Sequence, residues 1–151
     1  MKKLLSGIFA SLFCLSLVSC GGKAETPFDP AADAQTLLAS NAFSESLTEI
    51  DPDIVCTLYG IDPDTVSSFA AYGSTGATAE ELAIFSLTDA DAAETALTAL
   101  QYRVDDRIEE LTNYLPDEIT KLENAVLQIR GSSVLLVIAA DYDPIYAFLE
   151  Q

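Results

Sequence analysis

The longest regular pattern of apolar residues lies in the second half of the chain. Its members recur at spacings of three and four, which is the period of an amphipathic helix: Leu97, Leu100, Val104, Ile108, Leu111 and Leu115. The pattern predicts a helix from about residue 88 to residue 115, and the acids Asp89, Asp91 and Glu94 suit its positive N-terminal end. Pro116 interrupts this helix, and residues 117–122 are expected to add one or two turns.

Four segments have the composition of strands, with β-branched and aromatic residues or alternating polarity. They are residues 66–72, 80–87, 125–130 and 133–139. Gly131 and Ser132 suit a two-residue turn between the last two strands, which predicts a hairpin. Residues 134–138 are apolar at every position, so this strand is predicted to be central. Thr78 and Glu81 also fit a capping box, which leaves a helical turn before the second strand as an alternative.

Asp-Pro pairs mark the starts of the shorter helices, because Asp caps a helix and Pro suits its first position. Asp29-Pro30 predicts a helix to about residue 40, and Asp51-Pro52 predicts one that ends at Gly60. Asp143-Pro144 predicts a last helix to residue 148, whereas Asp62-Pro63 predicts a single turn at most. The expected fold class is α+β, a four-stranded, mainly antiparallel sheet packed by one long helix, with short N- and C-terminal helices, in a single domain over residues 29–151.

The N-terminus reads as an export signal. Lys2 and Lys3 precede an apolar run that is shorter than the roughly 20 residues of a membrane-spanning helix. The run ends in residues 17–20 (Leu-Val-Ser-Cys), which resemble a bacterial lipobox, so we expect residues 1–19 to be removed and Cys20 to carry the lipid. Residues 20–28 then form a linker. The protein is expected on the extracytoplasmic face of a bacterial cell membrane; an ordinary signal peptide with a chance cysteine is the alternative.

The net charge of the chain limits the classes of binding partner that we expect. The 151 residues hold 24 Asp or Glu and 7 Lys or Arg, and the formal net charge of −17 becomes −19 once Lys2 and Lys3 are removed. Nucleic-acid binding needs clustered cations, which the sequence lacks, so we expect no nucleic-acid partner. The same charge repels anionic lipid surfaces, so the membrane contact is expected through the lipid on Cys20. An envelope protein remains a candidate partner.

The sequence lacks the residues that most catalytic mechanisms require. The chain has no His, which removes Ser-His-Asp and Cys-His catalysis and most zinc sites. Cys56 is the one thiol left after export and lipidation, and its apolar surroundings predict a core position. Four Asp-x-Asp pairs coincide with helix starts and are expected to be caps rather than metal ligands: Asp51/Asp53, Asp62/Asp64, Asp89/Asp91 and Asp141/Asp143. We therefore predict no catalytic residues, no metal and no cofactor.

The loop at residues 73–79 is the one candidate binding element. Hydroxyl groups and glycines that expose main-chain N–H groups favour this interpretation, and they come from Gly73, Ser74, Thr75, Gly76 and Thr78. The loop is no phosphate loop, because no Lys follows it and a strand comes next. The alternative is a flexible strand connection without a ligand.

Several segments together resemble an uncharacterised family of bacterial lipoproteins that is catalogued as domain of unknown function 4358. They are residues 58–62 (Leu-Tyr-Gly-Ile-Asp), 72–81 (Tyr-Gly-Ser-Thr-Gly-Ala-Thr-Ala-Glu-Glu), 114–116 (Tyr-Leu-Pro) and 121–125 (Lys-Leu-Glu-Asn-Ala). The resemblance implies an exported, lipid-anchored domain without established activity, and it transfers no catalytic residues. We expect a binding or accessory module of unknown ligand. The alternatives are a small carboxylate-dependent envelope hydrolase and an accessory factor to a membrane-bound acyltransferase or wall-modification system.

The anchor makes the first testable prediction. Cys20→Ser removes the thiol that forms the thioether with diacylglycerol, so the variant should be unprocessed or secreted and should leave the detergent phase in a phase-partitioning assay. Cys56→Ser is the matched control and should partition like the parent protein. Lipid-dependent partitioning of the Cys20→Ser chain would contradict the lipobox assignment.

Overall fold

The computed structural model describes residues 26–151, so the predicted signal peptide and most of the predicted linker lie outside the described residues. The helices are α1 (Pro30–Leu38), α2 (Pro52–Tyr59), α3 (Ala90–Leu111), α4 (Ile119–Glu123) and α5 (Asp143–Leu149). The strands are β1 (Thr48–Glu49), β2 (Val66–Gly73), β3 (Glu81–Leu87), β4 (Val126–Arg130) and β5 (Ser133–Ile138). Single 3₁₀ turns at Pro63–Thr65 and Pro116–Glu118 precede β2 and α4.

The five strands form one sheet in the order β1-β2-β3-β5-β4, and every pairing is antiparallel. The α+β class is confirmed, whereas the count of four strands is wrong by one. The missed strand β1 has only two residues, both exposed, and it pairs Thr48 with Gly73 and Glu49 with Tyr72. A strand this short has no alternation of polarity that a sequence could show. The central position predicted for β5 is confirmed.

Side chains alternate between two cores on opposite faces of the sheet, as the pleat requires. Ala83 and Phe85 of β3 face a core that includes buried residues of α2, α3 and α4. Leu82 and Ile84 face a second core that includes residues of α1 and α5. The short terminal helices were predicted, but their joint burial of the second face was not. The helical turn at Thr78, which the capping box left as an alternative, is absent, and the Thr78 hydroxyl accepts from the N–H of Glu80 in a tight turn.

The long helix packs its apolar stripe on the sheet as predicted. Leu100, Val104 and Leu111 are buried, and Ile108 is half-buried against the same core. The helix ends at Leu111, four residues before the predicted end. Pro116 has no N–H to continue the helix and restricts the residue before it, so Leu115 leaves the helical region at φ −133° and ψ 64°.

The described chain enters beside the turn between β4 and β5. The N–H of Phe28 donates to Ser133 Oγ at 2.7 Å, and the Phe28 ring stacks on Phe148 with centroids 6.4 Å apart. The pairing of Ser86 with Ser133 places this contact at the end of β3. Glu81, at the start of β3, is therefore about 17 Å away along the strand. Phe28 therefore packs at one end of the sheet, and the buried Glu81 lies at the other end.

Within residues 26–151, no helix has both the length and the apolar composition needed to cross a bilayer.

Leu100 offers a direct test of the α3 core. It is fully buried, so Leu100→Ala leaves a cavity and should cost about 2–5 kcal/mol of unfolding free energy. Gln101→Ala, one position along, removes only an exposed hydrogen bond to Asp105 and should stay within about 0.5 kcal/mol. Urea denaturation of both variants measures the difference. Equal stabilities would mean that α3 packs through another face.

Candidate functional site

Two consecutive glutamates open the central strand β3, and both are buried. Because neighbouring residues of a strand point to opposite faces, Glu80 reaches the α1 and α5 side while Glu81 reaches the α3 side. A buried carboxylate is costly unless a cation and hydrogen bonds compensate it. Each glutamate has its own cation, and these two pairs organise this end of the sheet.

Arg103 of α3 grips Glu81 with two parallel hydrogen bonds, Nε to Oε1 and Nη2 to Oε2, each 2.6 Å long. Its guanidinium also lies 4.8 Å from the centre of the Tyr59 ring. Burial alone would lower the pKa of Arg103, but Glu81 outweighs it and the pKa is raised. Burial, aided by the charge of Glu81, raises the pKa of Tyr59 well above its ordinary value. The Tyr59 hydroxyl is buried beside the Glu81 carboxylate and the Arg103 guanidinium.

On the other face of the sheet, Glu80 forms an ion pair with Lys121 of α4. Lys121 Nζ lies 2.8 Å from Glu80 Oε1, and Ser44 donates its N–H at 2.9 Å and its hydroxyl at 2.5 Å to the same carboxylate. Lys121 Nζ also reaches Glu118 at 2.9 Å. Burial alone would lower the pKa of Lys121, but these two carboxylates raise it. This network ties the segment before β1 to α4 across the start of β3.

The predicted binding loop folds onto a carboxylate of its own chain. Ser74, Thr78 and Thr75 donate their hydroxyls to Glu45 at 2.6, 2.7 and 3.3 Å. The hydrogen bonds from Ser74 and Thr78 hold the pKa of Glu45 below its ordinary value of 4.5. Glu118 receives the N–H of Ala79 at 2.9 Å. Burial would raise the pKa of Glu118, but this N–H and Lys121 keep it lowered.

The outer side of the loop forms one wall of a groove of about 420 Å³. The walls are the segment around β1, the end of α2, the loop, the start of β3 and one side of α3. The lining residues are Thr48, Glu49, Ile50, Leu58, Gly73, Ser74, Thr75, Gly76, Thr78, Glu80, Glu81, Arg103 and Arg107. All five residues predicted for the binding loop therefore meet at one cavity. That they bind a ligand stays a prediction.

Arg107 is the cation of this groove with spare hydrogen-bonding capacity. Its Nε is buried and has no acceptor within the described part of the chain, and Nη1 lies 3.6 Å from Glu110. Arg103, by contrast, donates both Nε and Nη2 to Glu81. An unpaired buried donor is uncommon in native proteins, and such a donor is normally satisfied by an ordered water or by a ligand.

Sequence reasoning missed Glu45, Arg103 and Arg107. The two arginines are four residues apart on α3 beside its apolar stripe, and this position in a chain so poor in cations was a usable signal. Glu45 lies between elements without a periodic pattern, so nothing local distinguishes it from the other acids. Its partnership with the loop exists only through the long-range pairing of β1 with β2.

Other predicted residues have structural positions. In three of the Asp-x-Asp pairs the first Asp accepts the N–H of the second, as Asp51 does from Asp53 at 3.0 Å. Asp89 instead accepts the N–H of Ala92 at 2.8 Å. The capping prediction is therefore confirmed for Asp51, Asp62 and Asp89. It is wrong for Asp141, because the N-cap of α5 is Tyr142 and has no side-chain cap hydrogen bond. Cys56 is a free thiol and is half-buried on α2 rather than inside the core. Cys20 lies outside the described residues.

The family model described as "Domain of unknown function (DUF4358)" matches residues 40–139. The match covers more than half of the chain, so the protein belongs to this family. It includes β1, the loop and all of the ion pairs at the groove. No curated protein and no solved structure matches the chain.

The buried Arg103–Glu81 pair predicts that removing one partner costs much more unfolding free energy than removing both. Arg103→Met leaves the Glu81 carboxylate buried without a cation and should cost about 3–5 kcal/mol. Arg107→Met removes a partly exposed guanidinium and should cost less than about 1 kcal/mol. The double variant Arg103→Met with Glu81→Met removes both charges, so it should recover most of the loss. Chemical denaturation measures all three, and a single variant as stable as the double variant would contradict the pair's importance.

Glu45 and Glu118 predict acid sensitivity. Their pKa values are lower in the folded protein than in the unfolded chain, so their stabilising contribution is present above about pH 4.5 and is lost as the pH falls through the folded values. Melting temperatures from pH 6 to pH 3 should fall less for Glu45→Gln than for the parent. Glu109→Gln, at an exposed position on α3, is the control and should follow the parent. Parallel curves for all three would refute the role of Glu45.

Proposed function

We propose that the protein is a lipid-anchored binding or accessory module on the extracytoplasmic face of a bacterial cell membrane, with the groove as its binding site. The observation that carries this proposal is the buried Arg107 Nε, which has no acceptor among the described residues although it lines a cavity of about 420 Å³. A ligand that brings an acceptor would complete the site.

The walls of the groove define the chemistry of that ligand. Ile50 and Leu58 give one apolar wall, and Thr48 and Thr75 place hydroxyls along its sides. A carbonyl oxygen suits Arg107, because an anion would meet several carboxylates around the same cavity. The combination fits a peptide or protein segment with an apolar side chain beside a main-chain carbonyl.

The position of the groove supports a partner above the membrane. Residues 20–27 reach about 26 Å when fully extended at about 3.3 Å per residue. Phe28 is fixed beside the turn between β4 and β5, whereas the groove lies at the other end of β3. A lipid on Cys20 would therefore be attached at the end of β3 opposite the groove, which leaves the groove clear of the attachment point.

The carboxylates near the groove support binding over hydrolysis. A carboxylate-dependent hydrolase needs two acids facing each other across a cleft, with divergent pKa values. Glu80 and Glu81 instead point to opposite faces of the sheet, and each is held by a cation. The accessory role to a membrane-bound acyltransferase or wall-modification system agrees with a protein partner but has no further support in the geometry.

Site-specific photo-crosslinking in intact cells tests the proposal. A photoreactive amino acid at Thr75, on the rim of the groove, should give a discrete crosslinked product with the lipidated protein. The same product should weaken when Arg107→Gln is added and when Cys20→Ser releases the chain from the membrane. The first loss tests the donor, and the second tests the anchored location.

A photoreactive amino acid at Tyr146 is the matched control. Tyr146 is exposed on α5, which packs on the opposite face of the sheet. It should not give the product obtained at Thr75. Identical products from both positions, or a product from Thr75 that ignores Arg107→Gln, would contradict the groove as the binding site.

A further inference from the structure

The outward face of α2 is apolar although no element of the described chain covers it. Ile54 is 50% exposed and Leu58 is 38% exposed, and their spacing of four places them on one side of the helix. Val55 and Tyr59 on the inward side are buried in the core. A surface helix normally has one apolar face and one polar face, so a helix that is apolar on both sides indicates a second contact.

A neighbouring side chain extends this surface onto α3. Tyr102 is 66% exposed and lines, together with Leu58, a depression of about 290 Å³. Leu58 also lines the groove, so it stands between the two cavities. Three of the five large hydrophobic side chains that are exposed in residues 26–151 lie here. We call Ile54, Leu58 and Tyr102 the α2 ridge.

Carboxylates surround the α2 ridge. Glu49 lines the groove on one side of Leu58, Asp106 lines the depression on the other side, and Asp53 precedes Ile54 on α2. None of these three carboxylates forms an ion pair with another residue of the described chain. Two arginines also line these cavities: Arg103 is paired with Glu81, and Arg107 lies on the groove side. The ridge is therefore an apolar surface whose rim carries three carboxylates without an ion pair, on a chain of formal net charge −17.

We propose that the α2 ridge docks a segment of a partner protein that carries two apolar side chains one helical turn apart, flanked by Lys or Arg. This inference rests on the proposed function and names the chemistry of its partner. The apolar side chains cover Ile54, Leu58 and Tyr102, and the flanking cations meet Glu49, Asp53 and Asp106. Attraction between the opposite charges speeds the encounter, and apolar contact selects the segment.

The same charges disfavour two other occupants. A second copy of this chain would bring two acidic rims together, which costs free energy because like charges repel. An anionic bilayer surface would be repelled in the same way. A basic partner segment is the occupant that both the apolar centre and the acidic rim favour.

Three synthetic peptides test the proposal against the full chain purified in a nonionic detergent, with detergent alone as the blank. The first carries leucines one helical turn apart among lysines. The second replaces the leucines with serines, and the third replaces the lysines with glutamates. Fluorescence anisotropy of the labelled peptides should show saturable binding of the first peptide, at least about tenfold tighter than that of the other two.

Leu58→Asp separates docking from general charge attraction. The variant adds a negative charge, so unspecific attraction of a cationic peptide would increase, whereas docking on the α2 ridge should weaken at least about tenfold. Tyr146→Asp adds the same charge on α5 and should leave the affinity within about twofold. Melting temperatures of both variants verify that they are folded, and Tyr102→Ser gives a second, uncharged test of the ridge.

Each outcome decides the inference. Equal binding of the leucine and serine peptides, or unchanged binding by Leu58→Asp and Tyr102→Ser, would overturn the apolar contact. Equal binding of the lysine and glutamate peptides would overturn the acidic rim. If no peptide binds while the Thr75 crosslink forms and depends on Arg107, the partner chemistry is wrong and the proposed groove stands. If the peptide binds but the Thr75 crosslink is lost, the groove assignment is wrong and the α2 ridge stands as a docking surface.

Discussion

Neutralising two adjacent buried carboxylates is the constraint on which this structure depends. Glu80 and Glu81 stand at the start of the central strand, where water cannot solvate them. The alternation of a strand sends them to opposite faces, so one cation cannot serve both. Arg103 must therefore come from α3 and Lys121 from α4. This requirement fixes α3 against the sheet more specifically than apolar packing could, because a guanidinium fork has one good geometry on a carboxylate. The Lys121 ammonium holds α4 near Glu80 as a point charge.

The groove follows from the same arrangement. Arg103 has to approach β3 at Glu81, so the next turn of α3 places Arg107 beside the loop without a buried carboxylate to pair with. On the side of the loop that faces away from the groove, Glu45 accepts hydrogen bonds from the hydroxyls of Ser74 and Thr78. The loop thus acts as a rigid wall, and the unpaired donor lies on α3 opposite it. The proposed binding site therefore depends on Arg107, the arginine that the buried pairs leave without a buried carboxylate partner.

The sequence predicted the elements with strong periodic patterns and missed the contacts that only tertiary structure creates. The stripe on α3, the β4–β5 hairpin and the Asp-Pro helix starts each follow from local chemistry, and they appear where expected. The strand β1 is two residues long and exists because Ile50 and its neighbours can pair with β2. The loop was located correctly, but Glu45 was invisible because its partners are about 30 residues away in sequence.

The scarcity of cations connects the interior of the protein to its surface. The cationic side chains of residues 26–151 are Arg103, Arg107, Lys121 and Arg130. Arg103 and Lys121 neutralise buried carboxylates, and Arg130 packs over the Phe28 ring and donates to the Leu149 carbonyl. With Arg103, Lys121 and Arg130 engaged inside, Arg107 is the cation of residues 26–151 that is left at the groove, and acids dominate the rest of the surface. Under the proposed docking, charge alone would attract any basic molecule equally, so selectivity would have to come from an apolar surface, such as the outward face of α2 beside the groove.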